Sequence, residues 1–210
     1  MTPGTRIAYL HGFNSSPASV KGQLLARAIE ALPVEARPEY FLPQLSQGPR
    51  DAVEAVARWI ERGPDARAVT LVGSSLGGYY ATYLAGRYGS KAVLINPAIR
   101  PDHDLATYVG RQRNLHTGEE YDLRAEDIAE LAKFGVQRIT DPQRYLLLVQ
   151  TGDELLDYRV AVRFYAGAWQ CVQGGGDHGF QNFAAHIPTV LRFAEAGFAD
   201  PPLPDRRAAR

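Results

Sequence analysis

Short apolar runs alternate with longer amphipathic stretches along most of this chain. Four runs of strand length precede residue 98, namely Ile7–Leu10, Tyr40–Leu42, Ala68–Val72 and Ala92–Ile95. Two more, Tyr145–Val149 and Ala168–Val172, follow residue 141. Short apolar runs of this kind are typical of buried strands, so the pattern predicts six strands.

The stretches between these runs predict helices. Ser16 is a candidate N-cap, and Pro17, a favoured first-turn residue, would begin a helix that ends by Pro33. Asp51–Arg62 carries its apolar residues on one face and is followed by glycine and proline, which predicts a second helix. Further helices are predicted from the glycine-rich turn at 73–78 to about Tyr88, over Tyr158–Tyr165, and over a closing stretch that Pro188 kinks or restarts.

Strands that alternate with helices predict an α/β fold with a mostly parallel sheet of about six strands and helices on both faces. In such sheets, ligands bind at the carboxyl ends of the strands. Four polar clusters directly follow predicted strands: His11–Asn14, Gly73–Gly77, Gly152-Asp153 and Asp177-His178. The sequence therefore predicts one site at this edge of the sheet.

The alternation breaks over residues 98–141. This segment holds several charged residues and one predicted helix, Glu126–Phe134, but no run that looks like a strand. We interpret it as a small cap above the strand ends; the alternative is a solvated connection. The domain is expected to cover residues 1–199, and Asp200–Arg210 is expected to be a flexible tail.

Composition narrows the possible functions. The 210 residues fit one domain, and 23 Lys and Arg balance 23 Asp and Glu, so no basic surface for nucleic acid is expected. The single cysteine, Cys171, excludes an internal disulfide and a multi-cysteine metal site, and its apolar surroundings predict a buried packing residue. Met1–Thr5 is too short for a signal peptide, and no run of 18 apolar residues predicts a membrane span, so a cytoplasmic location is expected.

The turn after the third predicted strand reads Gly73-Ser74-Ser75-Leu76-Gly77. This G-x-S-x-G pattern between a strand and a helix is typical of the nucleophile elbow of α/β-hydrolases, whose glycines avoid clashes across a sharp turn. Only Ser75 has a glycine two residues away on both sides, so Ser75 is the predicted nucleophile. The alternative is a phosphate-binding turn at a helix N-terminus, but the P-loop lysine and the G-x-G-x-x-G pattern are both missing.

In this fold the carboxylate and then the histidine follow the serine along the chain. His178 lies in a glycine-rich loop after the last predicted strand and is the candidate base. His186 lies in or beside a helix and is expected to be a packing or surface residue. His103 and His116 fall in the cap segment and receive no catalytic role.

Three carboxylates, Asp153, Glu154 and Asp157, follow the preceding strand, and Asp177 lies beside the histidine. Asp153 is the first to follow its strand, where it could orient the imidazole, and is the candidate acid. Asp157 is expected to cap the helix that starts near Tyr158, and Asp177 is a weaker rival. The backbone N–H groups of Phe13 and Leu76 are the predicted oxyanion donors.

His11 precedes this oxyanion turn and comes too early in the chain to be the base. It is expected to brace the turn through hydrogen bonds.

These motifs together resemble those of the YqiA-like esterase family (UPF0227), a group of small bacterial α/β-hydrolases. The resemblance covers about residues 6–196 and rests on five segments, which are Tyr9–Pro17, Gly73–Ala81, Leu94–Ala98, Gln150–Glu154 with Leu156–Arg159, and Gly175–His178. It implies carboxylesterase activity, including activity on thioesters such as acyl-CoA. The family's catalytic triad corresponds to Ser75, Asp153 and His178, in agreement with the assignment from the residues.

The expected function is hydrolysis of a small acyl ester or thioester through an acyl-Ser75 intermediate, with no metal or cofactor. Peptide or amide hydrolysis would use the same triad. Haloalkane dehalogenases and epoxide hydrolases share the fold but carry aspartate at the elbow, so Ser75 argues against both. A non-catalytic binding protein of this fold would be expected to have lost part of the triad.

Overall fold

The computed structural model describes residues 4–195 of the chain. The strands in this part are β1 Arg6–Leu10, β2 Glu39–Phe41, β3 Val69–Ser74, β4 Lys91–Ile95, β5 Gly110–Arg113, β6 Glu120–Leu123, β7 Tyr145–Gln150 and β8 Trp169–Gln173. Six of them form one sheet in the order β2-β1-β3-β4-β7-β8, and every neighbouring pair is parallel. This sheet confirms the predicted fold class.

Helices follow the strands as the pattern predicts, and one short helix that it does not predict, Pro101–Asp104, lies in the segment 98–141. They are α1 Val20–Glu30, α2 Pro49–Glu61, α3 Leu76–Tyr88, α4 Pro101–Asp104, α5 Ala125–Leu131, α6 Tyr158–Phe164 and α7 Ile187–Glu195. A 3₁₀ turn, Phe183–His186, precedes α7. Pro188 is the second residue of α7, where its missing N–H costs no hydrogen bond, so the proline restarts the helix instead of kinking it.

Two hydrophobic clusters cover the two faces of the sheet. Residues of α1 and α7, such as Leu25 and Val190, pack with Ile7 and other strand residues on one face. Residues of α2, α3 and α6 pack on the other face, where Ala8 belongs to the cluster. Neighbouring residues of β1 thus point to opposite cores, which is why the central strands are apolar at nearly every position.

The first helix begins later than the sequence predicts. Its first residue is Val20 rather than Pro17, because Ser16 closes a separate turn. The Ser16 hydroxyl accepts a hydrogen bond from the Ala18 N–H (3.1 Å), and its carbonyl accepts one from the Ser19 N–H (3.0 Å). Ser16 therefore caps this turn and not the helix.

The expectation that residues 98–141 contain no strand is wrong. Strands β5 and β6 pair as an antiparallel hairpin, which we call the cap hairpin, residues 110–123. Its strands are mostly exposed and polar, so they lack the apolar alternation that marks a half-buried strand. The predicted helix Glu126–Phe134 is present as α5 followed by a 3₁₀ turn that ends at Phe134.

Two further expectations concern single segments. Cys171 is half-buried rather than fully buried; it packs against the core, and burial raises the pKa of its thiol. The segment Asp200–Arg210 lies outside the described residues. Within residues 4–195, no helix combines the length and the apolar character needed to cross a membrane.

Candidate active site

Ser75 occupies the sharp turn between β3 and α3. Its backbone angles, φ 55° and ψ −121°, lie in a region that a non-glycine residue adopts only under constraint. Two hydrogen bonds supply part of that constraint: the Ser75 N–H donates to the Ile95 carbonyl, and the Ala98 N–H donates to the Ser75 carbonyl, both at 3.1 Å. The structure thus gives Ser75 the strained backbone expected of an elbow.

The two elbow glycines are required by close backbone approaches. A Cβ atom on Gly73 would overlap the Gly77 carbonyl, and one on Gly77 would overlap the Leu10 carbonyl. No side chain can yield in either case because the obstructing atoms belong to the backbone. The clash that the sequence analysis expects across the turn is therefore present at Gly73, whereas at Gly77 the obstruction comes from the end of β1.

Hydrogen-bond distances join His178 to both of the other predicted triad residues, Ser75 and Asp153. The His178 Nε2 is 3.1 Å from the Ser75 Oγ, and its Nδ1 is 2.9 Å from the nearer carboxylate oxygen of Asp153. The Asp153 side chain is only 2% exposed, and its Oδ1 also accepts hydrogen bonds from the backbone N–H groups of Leu155 and Leu156. These donors fix the direction in which the carboxylate meets the imidazole.

The two rival carboxylates are engaged elsewhere. Asp157 accepts a hydrogen bond from the Arg159 N–H at 3.0 Å and caps α6, as predicted. The Asp177 side chain accepts a hydrogen bond from the Gln181 amide at 2.8 Å. Only Asp153 contacts the ring of His178 among the carboxylates of residues 4–195.

The loop that carries His178 must reach back across the sheet. It follows β8, whereas Ser75 follows β3, and these strands are three positions apart. At about 4.8 Å per strand, the loop has to cover roughly 14 Å. Asn96, at the end of the intervening β4, supports this crossing, since its Nδ2 donates to the carbonyls of Asp177 (3.0 Å) and His178 (3.2 Å).

Gln150, the last residue of β7, supports the same loop through its side-chain amide. Its Oε1 accepts hydrogen bonds from the N–H groups of Asp177 (3.2 Å) and Gln181 (2.8 Å), and its amide is buried. A Cβ atom on Gly176, whose φ is +75°, would overlap this amide, which explains one of the loop's glycines. The sequence analysis assigned no role to Asn96 or Gln150, although each polar residue ends or follows an apolar strand and both lie in segments that carry the family resemblance.

Lys21 of α1 lies beneath the same loop. Its ammonium group donates a hydrogen bond to the Gly179 carbonyl at 2.7 Å. Burial lowers the pKa of Lys21, while the negative charges of Asp177 and Asp153 oppose that shift. The site therefore places one cation near its two aspartates.

The turn after β1 carries the predicted oxyanion donor Phe13. His11 braces this turn: its Nε2 accepts a hydrogen bond from the Leu45 N–H (3.1 Å), and its Nδ1 lies 3.0 Å from the Gly12 carbonyl. Burial lowers the pKa of His11, which favours the neutral ring that this pair of bonds requires. Within residues 4–195, the amides of Phe13 and Leu76 donate no hydrogen bond to protein atoms, so both are available to a ligand.

A cavity of about 340 Å³ opens beside Ser75 and His178. Most of its lining is apolar, with Asp104 contributing a carboxylate; the lining residues are Phe13, Asn14, Ser75, Leu76, Ala98, Pro101, Asp104, Leu105, Tyr108, Leu115, Leu155, Leu156 and His178. Partial burial raises the pKa of Asp104. A second cavity of about 300 Å³ adjoins the first, because both are lined by Asp104, Leu155 and Leu156.

The other histidines lie away from the Ser75 hydroxyl. His186 packs edge-on against the ring of Phe180 at 5.2 Å, and burial lowers its pKa, as expected of a packing residue. His103 is exposed on α4 and lines the second cavity, while His116 lies in the turn of the cap hairpin. Residues 4–195 contain no cluster of three or more His, Cys, Asp or Glu side chains that could hold a metal ion.

Comparisons with known proteins agree with this architecture. A UPF0227 protein of Shewanella oneidensis is 25% identical over 193 residues, which cover 89% of this chain and 98% of that protein. The mouse alpha/beta hydrolase domain-containing protein 10 has a similar structure (TM-score 0.65, 17% identity, 91% of this chain and 87% of that chain). The esterase domain of a Rhodothermus marinus protein is also similar (TM-score 0.56, 17% identity, 91% and 85%).

These structural similarities show that the chain has the α/β-hydrolase fold. The sequence family is shown by a separate comparison. The model of the family described as "Uncharacterised protein family (UPF0227)" matches residues 6–195, which is nearly the whole chain. The protein therefore belongs to the UPF0227 family.

Proposed function

We propose that the protein is a serine esterase that hydrolyses carboxylic esters through an acyl-enzyme formed on Ser75. The observation that carries this proposal is the continuous hydrogen-bonded line from the Ser75 Oγ through His178 to Asp153, at 3.1 and 2.9 Å. Such a line is the arrangement that activates a serine hydroxyl at neutral pH. The esterase domain among its structural relatives supports the same reaction class.

In the first half of the reaction, the Ser75 Oγ attacks the acyl carbonyl carbon while His178 Nε2 takes the serine proton. The negative charge that develops on the carbonyl oxygen is stabilised by the N–H groups of Phe13 and Leu76. Asp153 stabilises the imidazolium ion. The bond between the carbonyl carbon and the leaving oxygen then breaks, and His178 gives its proton to the departing alcohol.

In the second half, water takes the place of the alcohol. His178 removes a proton from the water as its oxygen attacks the acyl-Ser75 carbonyl, and the same two N–H groups again receive the oxyanion. Collapse of this intermediate breaks the bond to the Ser75 Oγ, which recovers its proton from His178. The products are a carboxylic acid and the free enzyme, and atoms balance without a cofactor.

The cavity supports an uncharged acyl group as the preferred substrate. Its lining is mainly apolar, and the carboxylate of Asp104 would repel an anionic substituent. Residues 98–141 supply six of the lining residues, from Ala98 to Leu115, which agrees with a cap role for that segment. A thioester such as acyl-CoA would use the same chemistry, with sulfur as the leaving atom.

Two alternatives use the same fold. An amidase or peptidase would need the same triad. Comparing the rates of hydrolysis of an ester and an amide with the same acyl chain length separates these activities from an esterase. A non-catalytic binding protein would not need Ser75, Asp153 and His178 in contact, so their geometry favours an enzyme.

A fluorophosphonate probe, which reacts preferentially with activated serines, tests the proposal. We expect the probe to label the wild-type protein and to block hydrolysis of a short p-nitrophenyl ester, and we expect Ser75→Ala to abolish both labelling and hydrolysis. Ser74→Ala is the matched control, because it removes the neighbouring hydroxyl of the same turn. Labelling that survives in Ser75→Ala but is lost in Ser74→Ala would show that the wrong serine has been assigned.

A further inference from the structure

The cap hairpin is hydrogen-bonded to the turn that carries Phe13. The hydroxyl of Tyr121 in β6 donates to the Asn14 Oδ1 at 2.7 Å, and the Asn14 Nδ2 donates to the Oε1 of Gln112 in β5 at 3.1 Å. Burial raises the pKa of Tyr121 to about 12, so its hydroxyl keeps the proton that it donates. Both polar atoms of the Asn14 side chain are thus held by the two strands of the hairpin.

The backbone of the same turn is held by the hairpin as well. The Leu115 N–H donates to the Asn14 carbonyl at 2.9 Å, and the Asn114 Nδ2 donates to the Ser15 carbonyl at 2.8 Å. Asn114 is only 1% exposed, although the strands around it are mostly exposed. Four hydrogen bonds therefore join the hairpin to the two residues that follow Phe13.

Asn14 has a backbone conformation that needs such support. Its φ is 53°, in the left-handed region, which asparagine tolerates better than most residues but still at a cost. A strained residue keeps its conformation only where its surroundings determine it. The Phe13 N–H belongs to the residue directly before Asn14, so we expect a change in the backbone of Asn14 to alter the direction of that N–H.

We propose that the cap hairpin positions the oxyanion turn, with Tyr121 and Asn114 as positioning residues that act through Asn14 and Ser15 on the Phe13 N–H. This inference rests on the proposed function, because the Phe13 N–H has an oxyanion to bind only if the proposed ester hydrolysis takes place. It assigns the segment a role in transition-state stabilisation in addition to lining the cavity. The hairpin does both, since Leu115 also lines the cavity.

The two roles affect different kinetic constants. A residue that only shapes the cavity contributes to binding of the substrate and changes KM. An oxyanion donor interacts more strongly with the transition state than with the substrate, so its displacement lowers kcat. The hydrogen bonds of the His178 ring go to Asp153 and Ser75 and do not involve the hairpin, so the pH dependence of kcat/KM should not change.

Tyr121→Phe tests the proposal by removing one hydroxyl while keeping the ring. We expect kcat on a neutral p-nitrophenyl ester to fall by roughly tenfold, less than the 10²–10³ that follows complete loss of an oxyanion donor. KM should stay within about twofold, and the pH profile should match that of the wild type. Arg111→Gln is the matched control, because it breaks the ion pair of Arg111 with Glu120 across the same hairpin without touching the oxyanion turn, and it should leave kcat unchanged.

Asn114→Asp provides the second variant. It keeps the acceptor that closes the hairpin turn and removes the donor to Ser15. A trifluoromethyl ketone, which forms a tetrahedral adduct with an active serine, should lose affinity for Tyr121→Phe and Asn114→Asp by about the same factor as kcat/KM. Thermal unfolding of each variant shows that the measured protein is folded.

The outcomes separate the inference from the proposed function. A folded Tyr121→Phe variant with an unchanged kcat, or with a defect in KM alone, would overturn the positioning role. A shifted pH profile would also overturn it, because the hairpin would then act on the triad. If the wild-type protein neither reacts with the fluorophosphonate nor hydrolyses the ester, the proposed function itself is wrong.

Discussion

At the scale of single residues, the site depends on one buried carboxylate. The Asp153 side chain accepts hydrogen bonds from two backbone N–H groups and faces the ring of His178 with both of its oxygens. A negative charge on this carboxylate favours the tautomer of His178 that leaves Nε2 free to accept the serine proton. Neither Asp157 nor Asp177 has a comparable contact with the ring.

We therefore predict that Asp153→Asn lowers kcat by roughly 10³-fold or more, because an amide can present an N–H to the ring and stabilise the wrong tautomer. Asp157→Asn and Asp177→Asn remove a carboxylate from the same region and serve as matched controls, with kcat expected within about threefold of the wild type. Steady-state hydrolysis of a p-nitrophenyl ester measures all three. A severe defect in either control together with a mild one in Asp153→Asn would reassign the acid.

The sequence predicts these catalytic candidates because each can be recognised from its neighbours or its order along the chain, without knowledge of which strands pair. Glycines two residues from Ser75 mark the elbow, and the order serine, aspartate, histidine selects the other two. Asn96 and Gln150 have no such pattern. Their amides contact residues of the His178 loop between 27 and 82 positions later in the chain, so their role depends on which strands are neighbours.

At the scale of elements, burial decides which strands can be predicted from the hydrophobic pattern of the sequence. The four central strands, β1, β3, β4 and β7, are predicted because cores on both faces require apolar residues at nearly every position. The strands of the cap hairpin have no such requirement, since they are held by their own ladder and by polar contacts with Asn14 and Ser15. Hydrophobic periodicity therefore cannot reveal them.

The charges of the longer segment that contains this hairpin lead to a prediction about substrate preference. Residues Arg100 to Asp141 contain six Lys and Arg against nine Asp and Glu, a net charge of about −3, and Arg111 is paired with Glu120. An acyl-CoA carries anionic phosphates, and a segment with a net negative charge repels them. We expect kcat/KM for a p-nitrophenyl ester to exceed that for the acyl-CoA of the same chain length.

The variants Arg111→Ala and Arg113→Ala test whether a local phosphate clamp offsets this charge. Neither arginine lines the two cavities, so we expect the ratio of the two kcat/KM values to change by less than about twofold. A marked preference for acyl-CoA that disappears in either variant, or at high salt, would contradict the prediction and identify a clamp.

At the scale of the whole molecule, the site follows from the order of strands. The turns and residues that converge on it follow β1, β3, β4, β7 and β8, which are adjacent in the sheet. Because all of these strands are parallel, their carboxyl ends meet at one edge. His11 lies at this edge and is 4% exposed, so the same residue links the oxyanion turn to the fold and can report on its stability.

The pH dependence of stability follows from the neutral state of His11. Burial lowers its pKa in the folded protein below the ordinary value of 6.5, whereas the unfolded chain takes up a proton near that value. As the pH falls below about 6.5, the unfolded state binds more protons than the folded state, so the free energy of unfolding decreases; above that pH the contribution is constant. His186, whose pKa is lowered for the same reason, contributes with the same sign.

Urea unfolding between pH 7.5 and pH 5.5 measures this effect. We expect the free energy of unfolding of the wild type to decrease over that range, and we expect a smaller decrease in His11→Gln, which cannot be protonated there. His186→Gln is the control for the second histidine and should keep the part of the slope that belongs to His11. Asp104, whose pKa is raised, works in the opposite direction, so the decisive quantity is the difference in slope between each variant and the wild type. If His11→Gln has the slope of the wild type, His11 is protonated equally easily in both states and does not hold the oxyanion turn as a neutral ring.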